Sequence, residues 1–211
     1  MRSCLSLGIA AAASLALATA AAAKVPCPSC SSVPTHLCVA GMTAGIPDTT
    51  LGAFGVVLRD LANNPENDDD VWVDVTGCPD CRMPAAGAVP GVPVQCPDSY
   101  GVWYTDLQGT AQLVLVGGST GAPGTPGPSV ARIFAAGVMI AQVTIAIYDL
   151  DGRGGLTAND LSLWLTDYGT QQYIGRDDYD GDGKLGANDL SLWLTALGRG
   201  TSTASVTSFC P

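Results

Sequence analysis

The sequence predicts a mainly β protein, a β-sandwich that is followed by a small helical module near the C-terminus. Between residues 33 and 147, short β-branched or aromatic segments alternate with turn-forming residues and show no helical periodicity. The apolar tract 159–166 (Asn-Asp-Leu-Ser-Leu-Trp-Leu-Thr) then recurs letter for letter at 188–195. These two patterns predict a region of strands and a duplicated short helix.

The first segment, 1–23, has the layout of a secretory signal peptide. Arg2 is its single cation, and an Ala- and Leu-rich apolar run leads to Ala21, Ala22 and Ala23. We expect cleavage before Lys24 and a mature protein that is secreted or held at the cell surface. No other segment is apolar and long enough to predict a membrane span.

Six segments after this leader are rich in β-branched and aromatic residues and are bounded by turn formers. They are 54–59, 71–75, 102–104, 111–116, 131–134 and 138–147. Many short strands separated by turns predict a β-sandwich over 24–148. The Gly- and Pro-rich stretch 117–128 is interpreted as a long loop inside the sandwich, because strand-like sequence resumes after it.

Two turn motifs make this prediction more specific. Residues 60–65 read D-x-x-x-N-P, and residues 105–111 read T-D-x-x-G-x-A. Both contain residues that form turns and fix the exit of a strand. They resemble the turns of the bacterial immunoglobulin-like domains of surface adhesins. The resemblance implies an immunoglobulin-like sandwich and says little about a ligand.

Cysteines predict an oxidised protein. Those that remain after cleavage are Cys27, Cys30, Cys38, Cys78, Cys81, Cys96 and Cys210. In an oxidising compartment they should form up to three disulfides and leave one thiol. We expect one bridge within the group of Cys78, Cys81 and Cys96, and another from Cys210 to Cys27 or Cys30. Zinc or redox chemistry at the two Cys-x-x-Cys pairs is the alternative, although their separation exceeds that of a zinc ribbon and no βαβ pattern surrounds them.

The negative charge of the chain is concentrated near its C-terminus. The formal net charge is −10, 18 of the 19 acidic residues are Asp, and nine of these lie between Asp149 and Asp189. Phosphate binding needs clustered Lys and Arg, and the chain has only nine in total. The composition therefore argues against nucleic acid as a partner.

An Asp- and Gly-rich loop precedes each copy of the repeat. In the second loop, Asp178, Asp180, Asp182 and Asp189 occupy positions 1, 3, 5 and 12, with Gly at position 6 and an apolar residue at position 8. Ca²⁺ needs this layout, because closely spaced hard oxygens wrap the ion and Gly permits the sharp turn. Position 7, here Lys184, contributes its backbone carbonyl. The second loop therefore predicts a Ca²⁺ site.

The first loop keeps most of this layout. Asp149, Asp151 and Asp160 stand at positions 1, 3 and 12, and Gly155 stands at position 7. Arg153 occupies position 5, where a cation removes a ligand and adds repulsion. We therefore expect Ca²⁺ at this loop too, but more weakly bound.

The apolar tract after each loop predicts a short helix that ends at Gly169 or Gly198. No helix is predicted before the first loop, because the β-branched stretch 140–148 runs directly into it. A loop with an exiting helix, used twice and with Asp at position 12, resembles a type I dockerin, the module that plugs into cohesin domains of polysaccharide-degrading assemblies. The resemblance covers about 149–199, and Arg153 departs from the family pattern.

This resemblance implies a surface that binds a protein partner. In dockerins the residues at loop positions 10 and 11 help to choose the cohesin, and both copies carry Ala-Asn there. The implied partner-binding residues are Ala158, Asn159, Ser162 and Thr166 in the first copy and Ala187, Asn188, Ser191 and Thr195 in the second. Because the copies are nearly identical, binding in two orientations is expected.

The sequence contains no recognisable catalytic motif. Glu66 stands in an Asp-rich turn and is interpreted as solvated, and His36, the single histidine, has no Gly-x-Ser-x-Gly partner and is interpreted as a surface residue. Trp72, Trp103 and Tyr104 could form a sugar-stacking face. In a sandwich, however, such residues are expected to pack in the core or at an edge.

We therefore expect a secreted, non-catalytic protein that binds Ca²⁺ through residues 149–199, ends in a tail at 200–211, and attaches to a cohesin-like protein or a cell-surface complex. A second hypothesis gives the calcium module no partner and makes it a clamp on the sandwich, since no linker separates Tyr148 from Asp149. A third makes the chain polysaccharide-active or carbohydrate-binding.

Overall fold

The structure is a computed structural model that describes residues 25–96, 98–203 and 208–210. The expected signal peptide and parts of the expected tail lie outside these residues. Within them the protein is mainly β, with ten strands and two α-helices. No helix of this described part has the length and apolarity needed to cross a membrane.

Strands come first along the chain and helices last. The strands are β1 (His36–Val39), β2 (Met42–Thr43), β3 (Ile46–Pro47), β4 (Ala53–Val57), β5 (Asp70–Asp74), β6 (Val94–Gln95), β7 (Tyr100–Tyr104), β8 (Thr110–Val114), β9 (Val130–Ala135) and β10 (Val138–Ile147). The helices are α1 (Ala158–Gly169) and α2 (Ala187–Gly198), with a 3₁₀ turn at Gly175–Asp177 between them. All six predicted strands are present, and both helices end at the predicted glycines.

Six strands form one sheet in the order β1-β10-β9-β5-β7-β6. Strand β1 pairs parallel with β10, and the other neighbours are antiparallel. Strands β4 and β8 form a second, two-stranded sheet, and β2 and β3 form a small hairpin. Val56 and Leu113 of the second sheet share one apolar cluster with Val71, Ile133 and Ile145 of the first. The two sheets therefore enclose a common core.

A second apolar cluster joins the helices to the six-stranded sheet. It combines Ala146 and Tyr148, at the end of β10, with Cys38 of β1, Trp164 of α1 and Trp193 of α2. Residues on both sides of the expected boundary at 148/149 thus share this cluster. The helices therefore share their apolar cluster with the end of the six-stranded sheet.

The two turn motifs fold around their aspartates. One carboxylate oxygen of Asp60 accepts hydrogen bonds from the amides of Ala62 and Asn64 at 2.8 and 2.7 Å. Asp106 makes the same pattern with the amides two and four residues on, both at 2.9 Å. These side chains act as turn formers, as the sequence predicted.

The described part of the chain contains two disulfides, Cys27–Cys30 and Cys96–Cys210. The prediction that Cys210 ties the tail back is confirmed, but the predicted partner, Cys27 or Cys30, is wrong. The segment 208–210 runs beside residues 83–85, where the Cys210 amide donates to the Met83 carbonyl at 2.9 Å. This pairing brings Cys210 to Cys96.

The predicted bridge within Cys78, Cys81 and Cys96 is also wrong, because Cys96 is used by the tail and the other two are free thiols. Cys38 is a further free thiol and is buried. Burial raises the pKa of the Cys38 thiol to about 12, so this group remains a thiol at neutral pH.

His36 is not the surface residue that the sequence predicted. It is half-buried at the start of β1, with Nδ1 2.8 Å from Thr144 Oγ1 and Nε2 3.2 Å from Cys38 Sγ. Burial lowers the pKa of the imidazole, although Asp178 and Asp180 oppose this effect. His36 therefore contributes to packing beneath the second loop as a neutral ring.

Glu66 is buried, with 1% exposure, and the expectation of a solvated side chain is wrong. The Thr105 hydroxyl donates to the Glu66 carbonyl at 2.7 Å and so joins the two turn motifs. Trp103 packs in the core as expected. Tyr104 is 68% exposed, and Trp72 is half-buried on the outer side of β5.

Candidate metal centres

Strand β10 delivers the first loop directly from the sheet. Tyr148 and Asp149 follow the strand and are buried, and the Tyr148 amide donates to the Val39 carbonyl at 3.1 Å. The Thr203 hydroxyl donates a hydrogen bond to the Asp149 carboxylate. The first residue of the loop is therefore fixed by a strand, as the sequence predicted, and not by an entering helix.

The second loop contacts the end of β10 through Tyr179, which packs against Tyr148 and Ile147. The ring of Tyr179, at loop position 2, stacks on Tyr148 with a centroid distance of 4.6 Å and an interplanar angle of 5°. Its hydroxyl donates to the Ile147 carbonyl at 3.0 Å. The beginning of the second loop therefore contacts the end of β10, from which the first loop continues.

Position 1 of each loop organises the turn that follows it. Asp149 accepts hydrogen bonds from the amides of positions 4 and 6 at 2.8 and 3.3 Å, and Asp178 accepts the equivalent pair at 2.9 and 3.0 Å. The glycines at these positions have positive φ angles of 63° and 98° in the first loop and 72° and 82° in the second. Only glycine adopts such angles without strain, so these glycines permit the turn.

Positions 3 and 12 also repeat between the loops. The position 3 carboxylates, Asp151 and Asp180, accept a hydrogen bond from the amide of position 5 at 2.9 Å in the first loop and 3.1 Å in the second. The position 12 carboxylates, Asp160 and Asp189, accept a hydrogen bond from the amide of position 3 at 2.8 Å in the first loop and 3.3 Å in the second. Each also accepts a hydrogen bond from the amide of position 9, at 2.8 Å in both loops. Position 12 therefore closes the loop and caps the start of the helix.

Arg153 does not disturb this pattern. Its amide supplies the hydrogen bond to Asp151 at 2.9 Å, and its side chain is exposed. The first loop thus has the backbone geometry of the second despite the cation at position 5. What Arg153 changes is the number of carboxylates and the local charge.

Three carboxylates converge in each loop, with one oxygen of each lying within 4.8 Å of the others. The groups are Asp149, Asp151 and Asp160 in the first loop and Asp178, Asp180 and Asp182 in the second. Asp189 does not belong to the second group. It lines a cavity of about 300 Å³ together with Asp180, Asp182 and Lys184.

The position 7 residues, Gly155 and Lys184, are the residues expected to offer carbonyl oxygens. The Lys184 amide donates to Asp182 at 2.9 Å, and the Lys184 side chain is exposed. Gly155 has a φ of +157° and borders Ser202, whose hydroxyl donates to the Gly154 carbonyl at 2.7 Å.

Burial makes the ionised carboxylates unfavourable unless a cation is near. Asp149 and Asp160 are 1% and 0% exposed. Burial raises the pKa of Asp149 to about 6; the Thr203 hydroxyl opposes this rise, and the charge of Asp160 adds to it. Burial likewise raises the pKa of Asp189, against the hydrogen bonds of three amides. Converging carboxylates of this kind fit a hard divalent cation.

Two residues outside the loops were missed by sequence reasoning. The Tyr173 hydroxyl donates to Asp178 at 2.7 Å, as Thr203 does to Asp149. Each position 1 carboxylate therefore receives one hydroxyl from a neighbouring segment. The spacing within a loop carries no signal for such contacts.

A buried ion pair fixes α1 against the long Gly- and Pro-rich loop. Arg176 is fully buried, and its Nη2 lies 2.6 Å from Asp167 Oδ2. Its Nη1 donates to the Ser119 hydroxyl at 3.0 Å and to the Ala122 carbonyl at 2.8 Å. The Gly124 amide completes the set with a 2.9 Å hydrogen bond to Asp167.

The eight residues that the resemblance assigns to a partner surface are all exposed. They are Ala158, Asn159, Ser162, Thr166, Ala187, Asn188, Ser191 and Thr195. Beside them, Leu165 and Tyr168 of α1 are 51% and 50% exposed, and their counterparts Leu194 and Leu197 of α2 are 48% and 39% exposed. The two helices thus expose equivalent faces, which share the first large side chain, Leu165 or Leu194, and differ at the second, Tyr168 or Leu197.

No protein-family model matches the chain, and no curated protein matches it either. One matching solved structure is that of the surface layer protein SbsC, domains 4–9, with 14% sequence identity and a TM-score of 0.26. The match covers 58% of this chain and 14% of that chain. A likeness this low assigns neither a fold nor a function, so the functional argument depends on the geometry of the loops.

Proposed function

We propose that this chain is a secreted, non-catalytic calcium-binding protein. Its immunoglobulin-like β-sandwich carries a dockerin-like module, 149–199, which binds Ca²⁺ in both loops and clamps the end of the sheet. The observation that carries the proposal is the hydrogen-bond pattern shared by the two loops, each with three converging carboxylates.

The donor set favours Ca²⁺ over other common metals. Zinc prefers nitrogen and sulfur ligands, and neither carboxylate group contains a His or Cys. Mg²⁺ demands near-octahedral geometry and retains several waters, so it is seldom held by a loop of protein oxygens alone. A twelve-position loop with carboxylates and a backbone carbonyl suits the larger and more flexible shell of Ca²⁺.

Calcium in the first loop would clamp the helix to the sheet because its carboxylate ligands belong to different elements. Asp149 continues β10, whereas Asp160 lies in the first turn of α1, so an ion between them ties the helix to the sheet. In the absence of an ion, these two buried carboxylates repel each other. Bound Ca²⁺ should therefore stabilise the packing of Trp164 in the cluster between helices and sheet.

Two features support a location outside the cytoplasm. The disulfides Cys27–Cys30 and Cys96–Cys210 are typical of oxidising compartments. The leader-like sequence of residues 1–23 predicts export. Together they support a secreted or cell-surface protein.

Docking to a cohesin-like partner is a second candidate function, favoured by the exposed equivalent faces of α1 and α2. Each face presents the Ala-Asn pair of loop positions 10 and 11 with a Ser and a Thr one and two turns on. In this function the clamp holds both helix faces in position for a partner, so docking and clamping are compatible.

Equilibrium unfolding in urea tests the calcium clamp. We expect Ca²⁺ to raise the free energy of unfolding, by about 2.7 kcal/mol for each loop at 100 times the dissociation constant of that loop. Mg²⁺ at the same concentration should have a much smaller effect. A variant with Asp149→Asn and Asp178→Asn should lose the response, while the exposed control Asp68→Asn keeps it. Equal stability with Ca²⁺ and with a chelator would refute the clamp.

A further inference from the structure

The outer face of the six-stranded sheet carries an aromatic cluster that the calcium module does not use. Trp72 of β5 lies between Tyr100 of β7 and Phe134 of β9, with ring centroids 5.8 and 6.0 Å away and interplanar angles of 31° and 36°. Burial alternates along β5 and β9, and the residues next to Trp72 and Phe134 face the core. The cluster therefore lies on the solvent side of the sheet.

Trp72 is more exposed to solvent than the other tryptophans of the chain. Trp103, Trp164 and Trp193 are 8%, 2% and 0% exposed, whereas Trp72 is half-buried on the outer face. A partly exposed group of aromatic rings on the outer face of a sheet is a candidate binding surface.

Polar side chains, those of Asp74, Thr76 and Arg132, lie beside the aromatic rings. Asp74 stands opposite Arg132 on one neighbouring strand and Tyr100 on the other. The Arg132 Nη2 donates to Asp74 at 2.5 Å and to the Thr76 hydroxyl at 3.0 Å, and its guanidinium carbon lies 6.0 Å from the Phe134 ring centroid. Donors and acceptors thus border the aromatic rings.

A cavity of about 260 Å³ lies over these groups, lined by the three rings, the ion pair, Thr76 and Asp98. This volume is slightly below the roughly 300–1,000 Å³ that is typical of sites for drug-sized ligands. The cavity therefore suits one ring-sized group stacked on an aromatic side chain.

We propose that this surface binds a neutral β-linked polysaccharide, with one pyranose ring stacked on Trp72. A pyranose with equatorial hydroxyls presents a flat face of C–H groups, which complements the negative face of an indole ring. Its hydroxyls lie at the ring edge, where Asp74 accepts hydrogen bonds and the remaining N–H groups of Arg132 donate them.

The charge and polarity of the surface favour a neutral sugar over an anionic glycan and over an apolar peptide. The charge of Arg132 is compensated by Asp74, and Asp98 adds a negative group, so an anionic glycan is disfavoured. An apolar peptide on the rings would bury polar atoms of Arg132 and Asp74 without new partners, which is costly. A neutral sugar can both stack on the aromatic rings and form hydrogen bonds with Asp74 and Arg132.

The test uses the fluorescence of the full mature chain with three soluble probes, cellohexaose, xylohexaose and chitohexaose. We expect at least one of them to change the tryptophan emission in a saturable way. Trp72→Phe should remove the emission change, and Trp72→Ala should weaken binding in calorimetry by about tenfold or more, as expected for loss of an aromatic anchor. Tyr100→Ala, measured in the same way, provides a second variant from another strand.

Tyr104→Ala is the matched control, because Tyr104 is an exposed aromatic of β7 that does not line the cavity. It should bind as the unaltered chain does, and a chelator should leave sugar binding unchanged even if the calcium clamp is lost. The proposal is overturned by the absence of binding to all three probes at millimolar concentration. Unchanged binding by folded Trp72→Ala and Tyr100→Ala, or a preference for hexagalacturonate, would also overturn it.

Discussion

The indole nitrogen of Trp193 donates a hydrogen bond to the carbonyl oxygen of Tyr148 at 3.2 Å. Tyr148 immediately precedes the first Asp- and Gly-rich loop, and Trp193 belongs to the helix that follows the second such loop. The stacking of Tyr148 on Tyr179 adds a contact between the same two units. The units are therefore connected through the end of β10, and ordering of one loop should favour ordering of the other.

The second loop should bind Ca²⁺ more tightly than the first, because it has four loop carboxylates where the first has three and the charge of Arg153. Affinities of extracellular sites of this type often lie near 10⁻⁴–10⁻³ M, about the range in which calorimetry can rank the two. Asp182→Ala should remove more of the high-affinity binding than Asp151→Ala, and Arg153→Asp should strengthen the first site. The opposite order for the two alanine variants would show that the ranking is wrong.

Arg176→Met should destabilise the protein by about 3–5 kcal/mol, because it leaves the buried carboxylate of Asp167 without its partner. Urea unfolding in excess Ca²⁺ measures this loss. Arg82→Met is the matched control, since the Arg82 residue is exposed, and its effect should lie within about 0.5 kcal/mol. A similar small effect for Arg176→Met would mean that the buried pair does not hold α1 to the long loop.

Stability should fall in acid partly through Asp48, which accepts hydrogen bonds from Arg199 at the end of α2. Burial alone would raise the pKa of Asp48, but hydrogen bonds from Arg199, Thr43, Thr50 and Thr201 outweigh it and lower the pKa from 3.8 to about 2. Because the folded-state pKa is depressed, this contribution is present above about pH 3.8 and is lost as the pH falls toward 2.

Asp48→Asn should therefore reduce stability at neutral pH and flatten its dependence on pH in the acid range. Urea unfolding between pH 2 and 5 makes the comparison on protein from which calcium has been removed by dialysis against a chelator at neutral pH, with Asp68→Asn as an exposed control. An unchanged acid slope in Asp48→Asn would exclude this residue as a source of the pH dependence.

Local patterns account for what could be predicted from the sequence. The β-branched segment 138–147 forms strand β10, and Gly169 and Gly198 mark where the helices end. The Asp and Gly spacing of the loops also specifies their own hydrogen bonds. In each case the interacting residues lie within a few positions of one another.

Contacts between distant segments could not be predicted in this way. Cys96 and Cys210 are separated by 114 residues, and Arg176 and Ser119 by 57. Their pairing depends on which distant segments the fold brings side by side, and no local spacing encodes that. The sequence grouped Trp72 with Trp103 and Tyr104, and its actual neighbours, Tyr100 and Phe134, were missed because they come from two other strands whose pairing with β5 sets their proximity.

A cohesin-like partner, if the docking function holds, should bind through either helix face and only with Ca²⁺. Asn159→Asp or Asn188→Asp alone should weaken binding little, because the other copy remains, whereas the double variant should weaken it strongly. Surface plasmon resonance against a recombinant cohesin domain measures this, with a chelator as the calcium-free arm. Strong loss from each single variant would exclude two-orientation binding, and capture that persists in the chelator would exclude calcium-dependent docking.

The most direct test of the calcium centres counts bound ions by equilibrium dialysis of the mature chain with radioactive calcium. We predict two ions per chain at saturation, because each loop brings three carboxylates together. Asp149→Ala and Asp178→Ala should each leave one ion, and the double variant should leave none. If the unaltered chain binds no calcium at millimolar concentration, or if the double variant binds as much as the unaltered chain, the loops are not calcium centres.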